Sequence, residues 1–492
     1  MNARAAYLNE QIIKRMRNDN PWWMTNAIPQ EFHEMRHRLY LDSFYQEVTN
    51  RDIRRGVILL GPRRIGKTVM IYHAIERLIE HGTSPQQIIY LSIDTPIYNN
   101  IALEELFSLA KEALNNENAQ GDYYVFYDEI QYLKDWEVHL KSLIDTYRNV
   151  KFVASGSAAA ALKMKSNESG AGRFTDFMLP PLTFNEYIHL LNLNSIVTKK
   201  SDKPDDPLNS YVDTLDIGIL NRHFIDYINY GGYPEIVFSE RMRQDPGQYI
   251  QHDIVDKVLL RDLPSLYGIQ DTQELNRLFI YIAYHSGEEF SYEAISKESE
   301  IKKEVLKKYL MYLEAAFLIN IVYKIDANAK RMQRITSFKI YLTNPSLRCA
   351  LFSPLTETDP AVGSMVETAI FAQWLQKRSF VVYYANWNKG PAPGEVDIVG
   401  VNIARQKPDW AVEVKWSDRY FDKPNELKSL LYFMENNHLE KALVTSLTKR
   451  GEKQLKAVRL VFVPAAIYAY TVGYNRFSTH LYLKSATNSH GD

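Results

Sequence analysis

Gly61-Pro62-Arg63-Arg64-Ile65-Gly66-Lys67-Thr68 follows the apolar run Val57-Ile58-Leu59-Leu60 and precedes Val69-Met70-Ile71-Tyr72-His73-Ala74-Ile75-Glu76-Arg77-Leu78. A buried strand therefore runs into a glycine-bounded loop, and the loop opens a helix. In that setting the pattern GxxxxGK[ST] binds phosphate. Glycines let backbone N–H groups curl around an anion without a Cβ in the way. The helix N-terminus adds partial positive charge. Lys67 is expected at the β- and γ-phosphates of ATP and the Thr68 hydroxyl at Mg²⁺. Gly61, Pro62, Arg63, Arg64, Ile65 and Gly66 form the cradle.

Outward from this loop the signals alternate. Strands are expected at Ile88–Asp94, Tyr123–Tyr127 and Val150–Gly156, with helices at Leu103–Leu114 and Trp136–Tyr147 between them. Repeated strand–helix units with near-continuous apolar strands predict a parallel sheet covered on both faces. Asp128-Glu129 ends the third strand, at the carboxyl edge beside the phosphate loop. Asp128 is expected to position Mg²⁺, and Glu129 to activate the attacking water. Ser155-Gly156-Ser157 ends the fourth strand. Ser155 is either a contact to the γ-phosphate or its water, or part of a cap for a helix over Ala158–Leu162. Arg173 is either a guanidinium that senses the γ-phosphate or a surface arginine.

The bulk numbers bound the rest. A chain of 492 residues holds roughly three domains. With 46% hydrophobic and 24% charged residues it reads as globular. A net charge of −1 rules out a whole-protein basic field, so a nucleic-acid partner must meet a local patch. The single cysteine, Cys349, excludes a disulfide framework and a thiolate metal cluster. Met1 to Arg17 has no apolar core like that of a signal peptide, and no stretch reaches the ~18–20 apolar residues that span a bilayer. A cytoplasmic protein without membrane contact is expected. Leu460 to Tyr474, the longest apolar candidate, contains Pro464 and reads as paired strands. In Asn20-Pro21-Trp22-Trp23 the tryptophans read as a packing anchor rather than a binding platform.

The combination of Asn20-Pro21-Trp22-Trp23, the phosphate loop, Asp128-Glu129-Ile130-Gln131, Ser155-Gly156-Ser157, Gly172-Arg173, Leu182-Thr183-Phe184-Asn185-Glu186-Tyr187 and Gly231-Gly232-Tyr233-Pro234-Glu235 resembles the predicted AAA-type ATPases of bacteria and archaea. Their C-terminal half is an endonuclease-like domain of unknown function. The resemblance covers essentially the whole chain. It implies an AAA-type core with Lys67, Thr68, Asp128 and Glu129 in the roles argued above, and it suggests anti-phage defence or mobile-element biology.

Asn192 to Pro207, with its charged run Lys199 to Pro207, reads as a linker or exposed loop, and the helical stretch after it, to about Asp262, as a lid. Helices at Glu274–Tyr284, around Tyr292–Lys297 and at Lys302–Leu318, then strands Ile319–Ile325 and Phe338–Leu342 around Lys330–Arg334, predict a winged helix. Lys302, Lys303, Lys307 and Lys308 with Arg331 and Arg334 either reach DNA phosphates or form solvated faces of a packing module.

A second constellation follows. Glu413 and Lys415 share a face of strand Trp410–Trp416, and Asp397 lies on the preceding hairpin strand. Two carboxylates and one ammonium thus converge. Asp397 and Glu413 are hard oxygen ligands for Mg²⁺ or Mn²⁺, with the Val414 carbonyl as a third. Lys415 orients water or offsets transition-state charge, and Glu367, on the preceding helix, holds a ligand water. The arrangement resembles the D…(D/E)xK nucleases, the restriction-endonuclease and Holliday-junction-resolvase superfamily, with Val396 where a proline often precedes the aspartate.

The expected organisation is an α/β protein: an N-terminal helical arm over 1–50, an AAA-type P-loop ATPase core with a parallel sheet over 51–190, a helical lid and linker over 191–270, a winged helix over 271–345, and a C-terminal α/β restriction-endonuclease-like domain over 346–492. The expected activity is ATP hydrolysis coupled to metal-dependent cleavage of nucleic acid, DNA before RNA, in a possible homo-oligomer. The alternative is a non-cleaving, ATP-switched regulator that binds DNA or a protein partner.

Overall fold

The computed structural model describes residues 3–114, 122–156, 172–199, 212–328, 337–374, 381–388, 392–402 and 405–475. The expected helix after Ser157, residues 200–207 of the expected linker and the basic loop at 330–334 lie outside them; Val197–Lys199, also expected as linker, is a strand paired with Val212–Thr214. The chain forms two compact units, Met1–Pro180 and Pro181–Asp492.

The first unit is built on a parallel sheet in the order β2-β3-β4-β1-β5: β1 Gly56–Leu60, β2 Ile88–Ser92, β3 Tyr123–Asp128, β4 Val150–Gly156 and β5 Phe174–Met178. Every residue of β1 is buried, as a strand with helices on both faces requires. The order sets β4 between β1 and β3, so the end of β4 lies between the phosphate loop and the acids that end β3. β2 is an edge strand, and the N-terminal arm covers it. The Asn20 side chain acts as a surrogate strand. Its amide donates to the Tyr90 carbonyl at 2.9 Å, and its oxygen accepts the Tyr90 N–H at 2.7 Å. The Trp22 and Trp23 indoles both donate to the Ile88 carbonyl, at 3.0 and 2.8 Å. Both rings are buried, in the anchor role. Pairing and covering an open edge in this way removes a template for misassociation.

The second unit holds a small ladder of β6 (Val197–Lys199) and β7 (Val212–Thr214) and a nine-stranded mixed sheet. The strands of the large sheet are β8 Glu289–Ser291, β9 Ile319–Ile325, β10 Ser337–Leu342, β11 Val381–Trp387, β12 Gly394–Val401, β13 Pro408–Glu413, β14 Lys441–Ser446, β15 Gly451–Leu455 and β16 Val458–Pro464. Their order is β15-β16-β14-β13-β12-β11-β9-β10-β8. β9 pairs with β11 in parallel, Lys324 opposite Tyr384. A single sheet therefore runs through the expected domain boundary at 345/346.

Helix Val362–Trp374 is buried along nearly its whole length. One core packs Val366 and Ile370 with Ile398 and Val412; another packs Leu430 and Phe433 of helix Lys428–Asn436 with Val396 and Ala411. The block Leu182 to Tyr187, expected within the ATPase core, folds with this second unit. Thr183 and Glu186 form a reciprocal capping box for helix Phe184–Leu190, and Phe184 packs on Phe224 and Tyr227.

The expectation of paired strands over Leu460 to Tyr474 is corrected. β16 stops at Pro464, and 465–475 is a helix. Alternation ends at the proline, and Ala465, Ala466 and Ala469 sustain the helix that follows. Among the described residues no helix is long and apolar enough to cross a membrane.

Candidate functional site

The phosphate loop joins β1 to helix Lys67–Glu80. Gly66 sits at φ +86°, a left-handed conformation that glycine adopts without cost. A Cβ on Gly61 would collide with the Leu179 carbonyl oxygen, so this glycine permits backbone-to-backbone approach. Arg38, which the sequence reading passed over, is buried. Its guanidinium donates to the Ile65 carbonyl at 2.7 Å and to that of Pro180 at 3.0 Å, fixing the loop from beneath. The Lys67 ammonium donates to the Gly61 and Pro62 carbonyls at 3.1 and 2.7 Å, and so lies in the mouth of the loop.

Thr68 and Asp128 meet: the hydroxyl donates to a carboxylate oxygen at 2.7 Å. The Tyr90 hydroxyl donates to the same oxygen at 2.9 Å, and the Ser155 hydroxyl donates to the other. Burial, then the neighbouring Glu129, raises the Asp128 pKa, and the three hydroxyl donors oppose the rise. Glu129 stands at φ +52°, turning the chain away as β3 ends, and its carboxylate accepts from the Gln131 amide. The left-handed backbone detaches Glu129 from the strand and leaves it partly exposed at the carboxyl edge.

Two readings sharpen here. Ser155 lies inside β4, fully buried, and its hydroxyl holds Asp128, while the helix that it would otherwise cap lies outside the described residues. Arg173 does not reach the phosphate loop of its own chain. β5 runs parallel to β1 with Phe174 opposite Gly56 and Met178 opposite Leu60. Arg173 therefore stands at the amino edge, about five residues or ~16 Å of strand from the loop. There it pairs with Asp145 at 2.6 Å. A run of sequence leading into a strand does not reveal at which end of the sheet it starts; register does.

The second constellation assembles in the second unit. β12 and β13 are antiparallel with Ile398 opposite Val412, which sets Asp397 beside Glu413. Asp397 accepts the Val414 N–H at 2.7 Å. The Lys415 ammonium lies 2.8 Å from Glu413 and 3.4 Å from Asp397. Thr445 on β14 clamps the Lys415 backbone, accepting its N–H at 2.6 Å and donating to its carbonyl at 2.8 Å. Asp397, Glu413 and Lys415 line a cleft of about 300 Å³ with Glu395, Tyr420 and helix residues such as Ser429.

Burial, then the Asp397 charge, raises the Glu413 pKa. Burial works against the Lys415 ammonium, but Asp397 and Glu413 outweigh it and keep it protonated. Glu413 Oε2 is buried and has no hydrogen-bond partner. An orphaned buried carboxylate oxygen beside a second carboxylate suits a hard divalent cation. No group of three or more His, Cys, Asp or Glu placed to hold a metal occurs among the described residues, so a cation here would rest on this carboxylate pair.

Glu367 is brought to the site, but its Oε1 accepts from Lys339 at 3.1 Å and from the Tyr341 hydroxyl at 2.6 Å. Lys339 and Tyr341, both on β10, were missed. The available signal was a lysine inside the apolar strand Phe338-Lys339-Ile340-Tyr341-Leu342. Cys349 is buried, and burial pushes its thiol up to about 12, so it is inert.

A glycine-bounded loop between a central parallel strand and a helix, with a buried aspartate against its threonine, defines a P-loop nucleotide-hydrolysing domain. Residues 54–188 match the model of an AAA domain, and this part of the chain is an AAA-type P-loop ATPase domain. Residues 221–359 match a domain of unknown function, DUF8612. An uncharacterized protein of Haemophilus influenzae is 23% identical over 394 residues, covering 79% of this chain and 88% of its own length. The uncharacterized protein MJ1544 of Methanocaldococcus jannaschii is 25% identical over 348 residues, covering 68% and 71%. Among solved structures, the Walker-type ATPase PABY2304 of Pyrococcus abyssi aligns over 63% of this chain and 94% of its own at 16% identity, with a TM-score of 0.35. The S. cerevisiae Hsp104–ADP complex aligns over 56% and 37% at 15% identity, with a TM-score of 0.28.

Proposed function

We propose that the chain couples ATP hydrolysis by its AAA-type domain to metal-dependent cleavage of nucleic acid at Asp397, Glu413 and Lys415. The observation that carries this reading is the convergence of two buried carboxylates and one ammonium on an open cleft, with one carboxylate oxygen unpartnered. Asp397 and Glu413 would hold Mg²⁺ or Mn²⁺. A divalent cation there lowers the pKa of water and stabilises charge on the phosphoryl oxygens. The Lys415 ammonium, fixed by the Thr445 clamp on its backbone, orients the attacking water and offsets developing negative charge. In the ATPase domain, Glu129 is the general base and Asp128 positions Mg²⁺ with Thr68.

Helix, strand, two helices and two strands over 272–342 suit a winged helix. Lys303 and Lys307 are paired with Glu293 and Glu304, and β9 is joined to β11. Both facts support a packing role for this module over a phosphate grip. Arg173 in any nucleotide role requires a second copy of the chain.

The test incubates linear, supercoiled and branched DNA, and RNA, with Mg²⁺ or Mn²⁺. Wild type is compared with Asp397→Ala and Lys415→Ala. Cleavage that needs metal and falls at least about 100-fold in both variants is expected. No cleavage of any substrate by a chain that still hydrolyses ATP would replace this reading with that of an ATP-switched binding protein.

A further inference from the structure

The carboxylate cluster around Asp397 has a second half that the D…(D/E)xK pattern does not contain. Lys339 on β10 reaches Glu367 at 3.1 Å and Glu395 at 2.6 Å, and its side chain is only 4% exposed. Tyr341, two residues on and therefore on the same face of β10, donates to the same Glu367 oxygen. Four carboxylates and two ammonium groups thus form two like sets. Glu367 and Glu395 surround Lys339; Asp397 and Glu413 surround Lys415.

The two sets differ in what they leave unsatisfied. Asp397, Glu413 and Lys415 all line the cleft, and Glu413 Oε2 is a buried acceptor with nothing to accept. Neither Glu367 nor Glu395 has a buried unpartnered oxygen; Lys339 and Glu367 do not line the cleft, and Glu395, which does, has one oxygen on Lys339 and accepts from the Asn386 amide at the other. A two-metal centre needs carboxylates on both sides of a pair of ions roughly 3.5–4 Å apart. Here the carboxylates of the far side are already held by a fixed ammonium. Lys339 occupies Glu367 Oε1 and Glu395 Oε1 at 3.1 and 2.6 Å, and a divalent cation cannot share those oxygens with it; Lys415 occupies Glu413 Oε1 and leaves Oε2 open.

We infer that Lys339 is the built-in cation of this cluster: it neutralises Glu367 and Glu395 from the closed side, so the centre takes one divalent cation, at Asp397 and Glu413, and no second. Lys339 is a positioning residue, and it comes from β10, outside the C-terminal strands that carry the rest of the site. This inference rests on the proposal that Asp397 and Glu413 hold a metal.

The test is Mn²⁺ titration of the full-length, nucleotide-free protein by calorimetry, with thermal shift as a second readout. Wild type is expected to bind one Mn²⁺ that Asp397→Asn abolishes. Lys339→Gln is expected to bind two, the second at least about tenfold more weakly, and to gain more thermal stability from Mn²⁺ than wild type does. Lys339→Arg, which keeps the positive charge, is expected to keep one, so that the charge and not the side-chain change accounts for the second ion in Lys339→Gln. Glu367→Gln and Glu395→Gln are expected to retain one Mn²⁺ within about threefold of the wild-type Kd, and they carry the test if Lys339→Gln does not fold. Two ions in wild type, one unchanged ion in Lys339→Gln, or loss of the ion in Glu367→Gln or Glu395→Gln would overturn the inference while leaving the metal reading intact. No Mn²⁺ bound by wild type would remove both.

Discussion

At the scale of single residues, the ATPase site depends on how Asp128 is held. Thr68, Tyr90 and Ser155 each donate a hydroxyl to it, from the phosphate-loop helix, β2 and β4. A hydrogen bond to a charged group contributes about 1.5–3 kcal/mol. Ser155→Ala is therefore expected to reduce ATP turnover about tenfold or more, with part of the loss recovered at high Mg²⁺. Glu129→Gln is expected to bind ATP normally and to lose about 10²–10⁴ of its turnover, the range for a general base. Steady-state ATPase rates with nucleotide-binding titrations separate the two cases. Full turnover in Glu129→Gln would exclude Glu129 as the base. Lys67→Ala should lose nucleotide binding itself. The place of Glu129 was legible because an acid pair after an apolar strand of a parallel sheet lies at the carboxyl edge. Ser155 was half legible: its place at the edge was visible, its partner was not.

At the scale of elements, the N-terminal arm illustrates how a short motif acts as a structural part. Asn20 mimics a strand partner for β2, and the Trp22 and Trp23 indoles share the Ile88 carbonyl. Trp22 also meets the Tyr72 and Tyr90 rings edge-on. Truncating so large a buried ring costs about 3–5 kcal/mol, and Trp22→Ala removes an indole donor as well. Urea melts should show this loss in the first unit, with the second unit's transition unmoved. A loss under about 1 kcal/mol would mean that the arm is dispensable to the sheet. The tryptophan pair announced burial through its composition. The edge strand it protects became visible only when the sheet order placed β2 outermost.

At the scale of the whole molecule, the expected boundary between 345 and 346 meets a continuous sheet. β11 takes its neighbour from β9, and Glu367 takes its counter-charge from Lys339 on β10. A fragment of residues 346–492 would expose the β11 edge and bury Glu367 without its cation. Removing one member of a buried pair costs roughly 3–5 kcal/mol, a large share of a domain's stability. The fragment 346–492 is therefore expected to be rapidly proteolysed and to melt without cooperativity, whereas 181–492 should resist protease and unfold in one transition. Stable, cooperative folding of 346–492 would contradict the shared sheet as a structural necessity.

What the amino-acid sequence by itself determined is local. Glycines bounding a phosphate loop, acids closing an apolar strand, and a Glu–x–Lys alternation each depend on backbone periodicity over a few residues, and periodicity is written in the chain. What only the tertiary structure decided is which ends and faces meet. Strand register sent Arg173 to the amino edge, a fold-level pairing made Ser155 a ligand of Asp128, and a sheet shared by distant segments delivered Lys339 to Glu367 and Glu395. These contacts join residues at least 27 positions apart, where no repeat of side-chain type records the partner. At Asp128 and Glu367 they exist because a buried charge must be matched, and the match is chosen by packing rather than by spacing.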